Sequence, residues 1–385
     1  MNRLIYLDAS ATTPVSPRVK EKMLSSLDLF GNPSSVHTAG AEAAKAIETA
    51  RGQVLKAAGA KKRGESRLIF TSCGTEANNT VLFGAAHAKK RNAGGKIVIT
   101  DSEHPSILRA ADRLAEEGFR IEKLSTAGGK IDRDELIEKV KDAFLLSIMA
   151  VNNETGADYG VSELFAIAKG VNPSLITHTD AVQGFLKIPL SFDDESIDLM
   201  SVSGHKIHAP KGIGGLLVKQ KRIRSGDLLP FLVGGGQEEG FRSGTENLPG
   251  ILAFGEAAEE GSERFSEAVG RVSAIKDRIL HALPEEIRPN LPEKASPFLL
   301  NFTLPGIKSE TMLRFLSAKG ICVSAGSACS AKAGHVSNTL LAFGLTEREA
   351  DSSLRVSFSR ENTPEDADAL LSALGEGLGR LARVR

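Results

Sequence analysis

The stretch from residue 198 to residue 219, DLMSVSGHKIHAPKGIGGLLVK, decides the fold that we expect for this 385-residue chain. Its first apolar run, Leu199 to Val202, predicts a short buried strand, and a polar turn that contains Lys206 follows directly. A second apolar run, Gly214 to Val218, predicts another strand after the turn. A lysine in a turn at a strand end is a candidate nucleophile toward a carbonyl group, and the alternative is a solvated loop cation.

The composition excludes several classes of protein. Lys+Arg and Asp+Glu each number 48, and no block of like charge occurs, which argues against a nucleic-acid or membrane-surface partner. No apolar run approaches the ~20 residues that cross a bilayer, and the first residues are unlike a signal peptide. The three cysteines, Cys73, Cys322 and Cys329, form no Cys-x-x-Cys pair, so we expect neither disulfides nor a metal site. The composition thus predicts a cytoplasmic protein with reduced thiols.

The order of the predicted elements indicates an α/β fold. Short apolar runs, such as Lys96 to Thr100 and Ser174 to Thr179, alternate with longer helical patterns, which predicts a large, mostly parallel sheet covered by helices. The pattern changes near Ser262, where a smaller α+β domain is expected. We predict a large domain over residues 15–260 and a small domain formed by residues 1–14 and 261–385.

Polar clusters follow the predicted strands one after another. In chain order they contain Gly74 and Thr75, His104, Asn153, Asp180 and Gln183, and finally Ser203, His205 and Lys206. Ligands of open α/β sheets bind beyond the carboxyl ends of the strands, so these clusters are expected to converge on one crevice.

The chemistry of these clusters suits pyridoxal 5'-phosphate. The helix that starts near Gly74 and Thr75 offers free N–H groups to a phosphate, although Thr75 as an ordinary N-cap is the alternative. Ser203 and His205 would add phosphate contacts. Asp180 would pair with the pyridinium nitrogen and keep the ring an electron sink.

The remaining cluster residues suit the ring and the substrate. His104 would stack on the ring or move protons, and the alternative is a structural histidine near a helix start. Gln183 and Asn153 would hold the region of the ring hydroxyl and the substrate.

Several motifs resemble those of NifS/IscS-like cysteine desulfurases, which are aminotransferase class V enzymes of fold type I that use pyridoxal phosphate. The motifs are Ser-Gly-His-Lys at 203–206, His-x-Asp-Ala-x-Gln at 178–183, Gly-Asn-Pro-Ser-Ser at 31–35, Arg-Ser-Gly-Thr-Glu-Asn at 242–247 and Gly-Ser-Ala-Cys-Ser at 326–330. The similarity extends from about Tyr6 to the last helix.

The resemblance implies conversion of L-cysteine to L-alanine, with the sulfur carried as a persulfide on Cys329. It implies Lys206 and His104 as further catalytic residues, and Asn153, Arg355 and Asn32 as substrate-binding residues. The persulfide sulfur would go to an acceptor protein, such as an iron–sulfur scaffold or a thiolation enzyme.

The resemblance also implies a homodimer, in which the segment that contains Thr245 reaches the cofactor phosphate of the neighbouring subunit.

Other interpretations remain at this point. A related class V enzyme, an aminotransferase or a selenocysteine lyase, is the alternative function, and a non-catalytic protein on the same fold is another. Arg355 could instead form a surface ion pair. Cys73 departs from the family pattern, because a small residue, often glycine, is expected before Gly74.

Overall fold

The computed structural model describes residues 3–60, 64–90, 94–326 and 336–382. The strands are β1 (Ile5–Tyr6), β2 (Ser66–Thr71), β3 (Lys96–Thr100), β4 (Arg120–Leu124), β5 (Ala143–Ser147), β6 (Ile176–Asp180), β7 (Leu199–Ser203), β8 (Gly214–Lys219), β9 (Arg288–Pro289), β10 (Leu299–Thr303), β11 (Ile321–Cys322) and β12 (Ser353–Ser357). The helices are α1 (Pro17–Ser26), α2 (Thr38–Ala57), α3 (Gly74–His87), α4 (Pro105–Glu116), α5 (Arg133–Val140), α6 (Val161–Val171), α7 (Gln220–Arg224), α8 (Leu248–Glu263), α9 (Phe265–Ala282), α10 (Ser309–Ala318), α11 (Asn338–Phe343), α12 (Glu347–Asp351) and α13 (Pro364–Arg380).

A seven-stranded sheet in the order β2-β8-β7-β6-β5-β3-β4 forms the centre of the fold. The pairs from β7 through β6, β5 and β3 to β4 are parallel, whereas β8 is antiparallel to both β2 and β7. The expected α/β class with a large, mostly parallel sheet is confirmed. The two apolar runs on either side of Lys206 form adjacent antiparallel strands.

Helices cover both faces of this sheet, because successive side chains of a strand point to opposite sides. Val98 packs in a cluster with residues of α2, α6 and α8, whereas its neighbours Ile97 and Ile99 pack with residues of α3 and α4. This double burial explains why the inner strands are apolar along their whole length rather than alternating.

A buried histidine links the middle strands. His178 in β6 is fully buried, and its two ring nitrogens lie 2.8 Å from Ser147 Oγ on β5 and 2.9 Å from Ser201 Oγ on β7. Burial lowers the pKa of His178 to about 3, so the ring is neutral at physiological pH. His178 therefore fixes the register of three parallel strands just before they reach the carboxyl edge.

The C-terminal part of the chain has its own apolar cluster. Strands β9, β10 and β12 form an antiparallel sheet, β1 pairs in parallel with β11, and Leu7 packs with apolar residues of the range 268–374. The boundaries drawn at residues 14 and 260 stay a prediction. Among the described residues, no helix has the length and apolar character that a membrane span requires.

Candidate active site

A cavity of about 330 Å³ opens at the carboxyl edge of the central sheet. Its volume is in the range of small-molecule sites. The predicted site residues that line it are Gly74, Thr75, His104, Asn153, Asp180, Gln183, Ser203, His205, Lys206 and Arg355. The structure thus brings together side chains from the ends of several strands, as well as from strand β12 of the C-terminal part.

The start of helix α3 forms one end of the cavity. Cys73 is the N-cap residue and makes no side-chain capping bond within the described chain, so the first N–H groups of the helix are left for a ligand. The alternative in which Thr75 is the N-cap is therefore wrong. A Cβ atom at Gly74 would lie 2.7 Å from Val182 Cγ2, so a larger residue would force Val182 to shift.

Ser203 lies opposite this helix start, as the last residue of β7. Its Oγ is buried and has no hydrogen-bond partner among the described residues. An unpaired buried hydroxyl costs free energy unless a ligand or water completes it. With the free N–H groups of α3, it forms a set of neutral donors suited to a phosphate.

Asp180 is held in place at the end of β6. Its carboxylate accepts hydrogen bonds from Asn78 Nδ2 at 2.7 Å and from the backbone N–H of Val182 at 2.9 Å. The carboxylate is only 5% exposed and faces the cavity, the position from which it can pair with a cationic ring nitrogen.

His104 lies on another side of the cavity and begins helix α4. Its Nδ1 accepts a hydrogen bond from the backbone N–H of Ser106 at 3.1 Å, which leaves the proton of a neutral ring on Nε2. Burial lowers the pKa of His104, and the charge of Lys206 lowers it further against the opposing effect of Asp180. His104 is both a helix cap and a neutral ring at the cavity.

Lys206 emerges from the short helical turn that follows β7. Its Nζ donates hydrogen bonds to the backbone carbonyls of Ser10 at 2.5 Å and Ala11 at 2.7 Å. Its neighbour His205 contacts Thr12 Oγ1 at 3.2 Å. Burial and the charge of Lys206 lower the pKa of His205 to about 3, so its ring is neutral. Two backbone carbonyls therefore hold Lys206 at the cavity, and its role as a nucleophile stays a prediction.

Arg355 reaches the cavity from strand β12 and is 2% exposed. Its guanidinium donates to Asp8 Oδ1 at 2.8 Å and to the backbone carbonyl of Asn153 at 3.0 Å. Its Nε has no partner in the part of the chain that the structure describes. The alternative of a surface ion pair is wrong, because the Arg355 guanidinium that pairs with Asp8 is buried beside the cavity.

Three predicted residues are not placed at this cavity. Asn32 lies in the loop before α2, where its Oδ1 accepts a hydrogen bond from Ser34 N at 2.9 Å. Thr245 is exposed beside a separate pocket of about 120 Å³ with Ser72 and Arg242. Cys329 lies outside the described residues.

Two buried residues behind the cavity lining were missed by the sequence reasoning. Glu103 is fully buried, and burial with the nearby charge of Asp180 raises its pKa to about 8. Lys187 is also buried, and its Nζ donates to Gln183 Oε1 at 3.0 Å. The spacing of Lys187 four residues after Gln183 was a usable signal, whereas nothing in the sequence marks Glu103 as buried.

Comparison with known proteins identifies the family. The model of the aminotransferase class-V family matches residues 5–370. A protein of Trichormus azollae named cysteine desulfurase is 39% identical to the chain, over 98% of the chain and 94% of its own length. The chain belongs to the aminotransferase class V family, among the cysteine desulfurases.

Solved structures support this assignment. A structure titled NifS-like protein matches this cysteine desulfurase family member with a TM-score of 0.90 and 34% identity, over 98% of the chain and 100% of its own. A second, titled SspA in complex with cysteine, has a TM-score of 0.80 and 32% identity, over 92% and 99% of the two chains. The predicted family and the fold type I architecture are confirmed.

Proposed function

We propose that the protein is a pyridoxal phosphate-dependent cysteine desulfurase that converts L-cysteine to L-alanine. The observation that carries this proposal is the meeting of Lys206, Asp180 and His104 in one cavity of a chain from this family. The names of the relatives support a desulfurase over an aminotransferase or a selenocysteine lyase.

The described residues fit the cofactor. The free N–H groups of α3 and the unpaired Ser203 Oγ suit its phosphate, Asp180 suits its ring nitrogen, and Lys206 suits its carbonyl carbon. Gln183 and Asn153 line the same cavity and would hold the ring hydroxyl and the substrate. When bound, pyridoxal phosphate supplies an electron sink that lets a proton leave the α-carbon of an amino acid.

The roles of this chain's own residues follow from their surroundings. Asn78 orients the Asp180 carboxylate, and Arg355 offers N–H donors to the substrate carboxylate. Lys206 and His104 are the groups that take up and return protons. His104 can do so because its ring is neutral at physiological pH.

For the sulfur step, we assign Cys329 as the nucleophile because of the family resemblance. Its thiolate attacks the sulfur of L-cysteine, so that one S–S bond forms and the C–S bond of the substrate breaks. The carbon is reduced and takes up a proton, giving L-alanine, while the two sulfur atoms become a persulfide on Cys329. An acceptor protein, an iron–sulfur scaffold or a thiolation enzyme, then receives the outer sulfur.

A homodimer is part of this proposal. A groove of about 860 Å³ adjoins the cavity and shares Thr75 and His104 with it. Phe231 and Leu229 at this groove are 42% and 44% exposed, and nearby Val233 is 81% exposed. A second copy would cover these apolar side chains. The exposed Thr245 would then contribute to the phosphate site of the partner.

The experiment that tests the function measures alanine and sulfide released from L-cysteine in the presence of dithiothreitol, with the visible spectrum recorded alongside. Equimolar products from the wild type, and none from a Cys329→Ala variant that remains yellow, are the expected results. A yellow wild type that forms neither product would refute the desulfurase and leave the cofactor assignment standing.

A further inference from the structure

We propose that Lys187 is a positioning residue, which fixes the orientation of the Gln183 side-chain amide so that an N–H group faces the cofactor ring. The inference rests on the proposed function, because it assumes that Gln183 contacts the ring. It goes beyond that function by assigning a role to a buried lysine that itself does not line the cavity.

The Gln183 amide is held at both of its ends. Its Nε2 donates to the backbone carbonyl of Ser10 at 2.9 Å, and its Oε1 accepts from Lys187 Nζ at 3.0 Å. Both residues lie on a helix-like turn after β6, in which Ile188 N donates to the carbonyl of Gly184 at 3.1 Å. Residues four apart on such a turn lie on the same side, which explains the contact.

The shape of the Gln183 amide alone does not determine whether its oxygen or its nitrogen faces Ser10. The oxygen and nitrogen ends of a glutamine side chain are nearly equal in shape, and only their partners distinguish them. The carbonyl of Ser10 can only accept, and the terminal group of Lys187, charged or neutral, carries N–H donors. Together they require Nε2 toward Ser10 and Oε1 toward Lys187, so the second N–H of Nε2 is left for a ligand of the cavity.

The surroundings of Lys187 make it unusual for a lysine. The residue is 6% exposed, and within the described residues no carboxylate forms an ion pair with its Nζ. Burial, together with the charges of Lys206 and Arg355, lowers its pKa to about 7. His208 and Arg360 line the small cavity of about 40 Å³ beside it, and Arg360 pairs there with Glu260 and Glu361 rather than leaving them to Lys187. Burying an amine among cations costs free energy, a cost typical of functional sites.

The same amide connects Lys187 to the reactive lysine. The carbonyl of Ser10 accepts from both Gln183 Nε2 and Lys206 Nζ. Reversal of the amide would place its oxygen against this carbonyl, where two acceptors repel each other. Loss of Lys187 would remove the group that favours the observed orientation at the other end.

The test uses the holoenzyme and the pH midpoint of its visible absorbance band, which reports the surroundings of the ring and requires no turnover. Lys187→Met keeps the length of the side chain and removes its donors. We expect the midpoint to shift by about 0.5 pH unit or more, the scale of one lost hydrogen bond to the ring. Lys187→Arg should restore it, because a guanidinium only donates and the adjoining cavity offers room.

Comparison with Gln183→Met separates positioning from a direct effect of charge. Lys187→Met should add no further shift in the Gln183→Met background, since Lys187 acts through the amide. Three results would each overturn the proposal. The first is an equal shift of the midpoint in the wild-type and Gln183→Met backgrounds. The others are an unchanged midpoint in Lys187→Met with only a lower melting temperature, and a folded Lys187→Arg variant that has the midpoint of Lys187→Met. A wild type without a visible band would instead refute the cofactor assignment.

Discussion

Asn78 Nδ2 lies 2.7 Å from Asp180 Oδ2, and the same Nδ2 lies 2.9 Å from Ser106 Oγ. Ser106 Oγ in turn lies 2.7 Å from His104 Nδ1. The Asn78 amide therefore connects the Asp180 carboxylate, proposed to pair with the ring nitrogen, through Ser106 to the His104 imidazole, proposed to stack on the ring.

Replacement of Asn78 by alanine should weaken cofactor retention by about 10-fold, because a hydrogen bond to a charged group contributes roughly 1.5–3 kcal/mol. The measurement is the visible absorbance that remains after dialysis against buffer without pyridoxal phosphate. Asn79→Ala is the matched control, since Asn79 donates to the backbone carbonyl of Ser106 instead. Equal retention in the two variants would contradict the role of Asn78.

Arg355→Lys should raise the KM for L-cysteine by about 10-fold or more with a smaller change in kcat, because a lysine cannot form a bidentate pair with a carboxylate. The lysine keeps a positive charge beside Asp8 and so avoids leaving a buried carboxylate unpaired. Steady-state kinetics provides the measurement, and thermal unfolding checks the fold. An unchanged KM would remove Arg355 from the substrate site.

Ser337→Ala should slow persulfide formation on Cys329 and leave the visible spectrum unchanged. Ser337 Oγ donates to Glu154 Oε2 at 2.6 Å, and a Cβ atom at Gly326 would lie 3.3 Å from the same oxygen. The buried Glu154 carboxylate thus holds Ser337 after the segment with Cys329 and lies beside Gly326 before it.

Thr346→Ala is the matched control for Ser337→Ala. Each residue caps a helix, α11 or α12, so each variant should lose about 1 kcal/mol of stability. Mass spectrometry of the persulfide after a single turnover is the measurement. Equal rates in the two variants would show that the bond between Ser337 and Glu154 has only a capping role.

His178 should make folding stability depend on pH. Its folded pKa of about 3 lies below the ordinary value of 6.5, so between these values the unfolded chain binds more protons than the folded chain. Stability should therefore fall as the pH drops from about 6.5 toward about 3, by at most about 1.4 kcal/mol per pH unit from this residue.

Denaturant unfolding of the wild type and of His178→Asn at pH 7.5 and pH 5.5 measures this dependence. The variant should be less stable at both values but should lose less between them. His281→Asn, at an exposed histidine, should keep the full pH dependence of the wild type. An identical loss in all three proteins would show that the burial of His178 does not govern the dependence.

Mixing two inactive variants should restore activity if the proposed dimer shares its sites. Lys206→Ala removes the reactive amine, and Thr245→Glu places a negative charge at the exposed position proposed to meet the partner's phosphate. Equal mixing should give about a quarter of the wild-type activity, because half of the dimers are mixed and each has one intact site. No gain over the separate variants, with dimers present by light scattering, would place Thr245 elsewhere.

The sequence predicted much of the site because ligand-binding residues in this fold come directly after the carboxyl ends of strands. Asp180 and Ser203 close their strands, and Lys206 lies three residues further on, so knowing the strands was enough to place them together. The contact of Asp8 with Arg355 was not predictable in this way, since it joins positions 347 residues apart where residues 7–9 run beside strand β12.

Burial was the property that the sequence predicted least well. The spacing of Lys187 from Gln183 indicates a contact but not burial, and nothing marks Glu103. The desolvation of both residues arises from tertiary packing. The family resemblance predicted that Thr245 contributes to the phosphate site of the partner subunit. Thr245 is exposed in the single chain, so the mixing experiment is what tests this prediction.

The pairing of β1 with β11 has a consequence for how the protein is made on the ribosome. Ser10 and Ala11, whose carbonyls hold the Lys206 amine, directly follow a strand that pairs with Ile321 and Cys322. The central sheet can form from residues that emerge earlier, but the strand pairing that anchors the chain before these carbonyls forms only after β11 has been synthesised. Nascent chains that end before residue 321 should therefore bind the cofactor poorly, even where Lys206 and Asp180 are already folded.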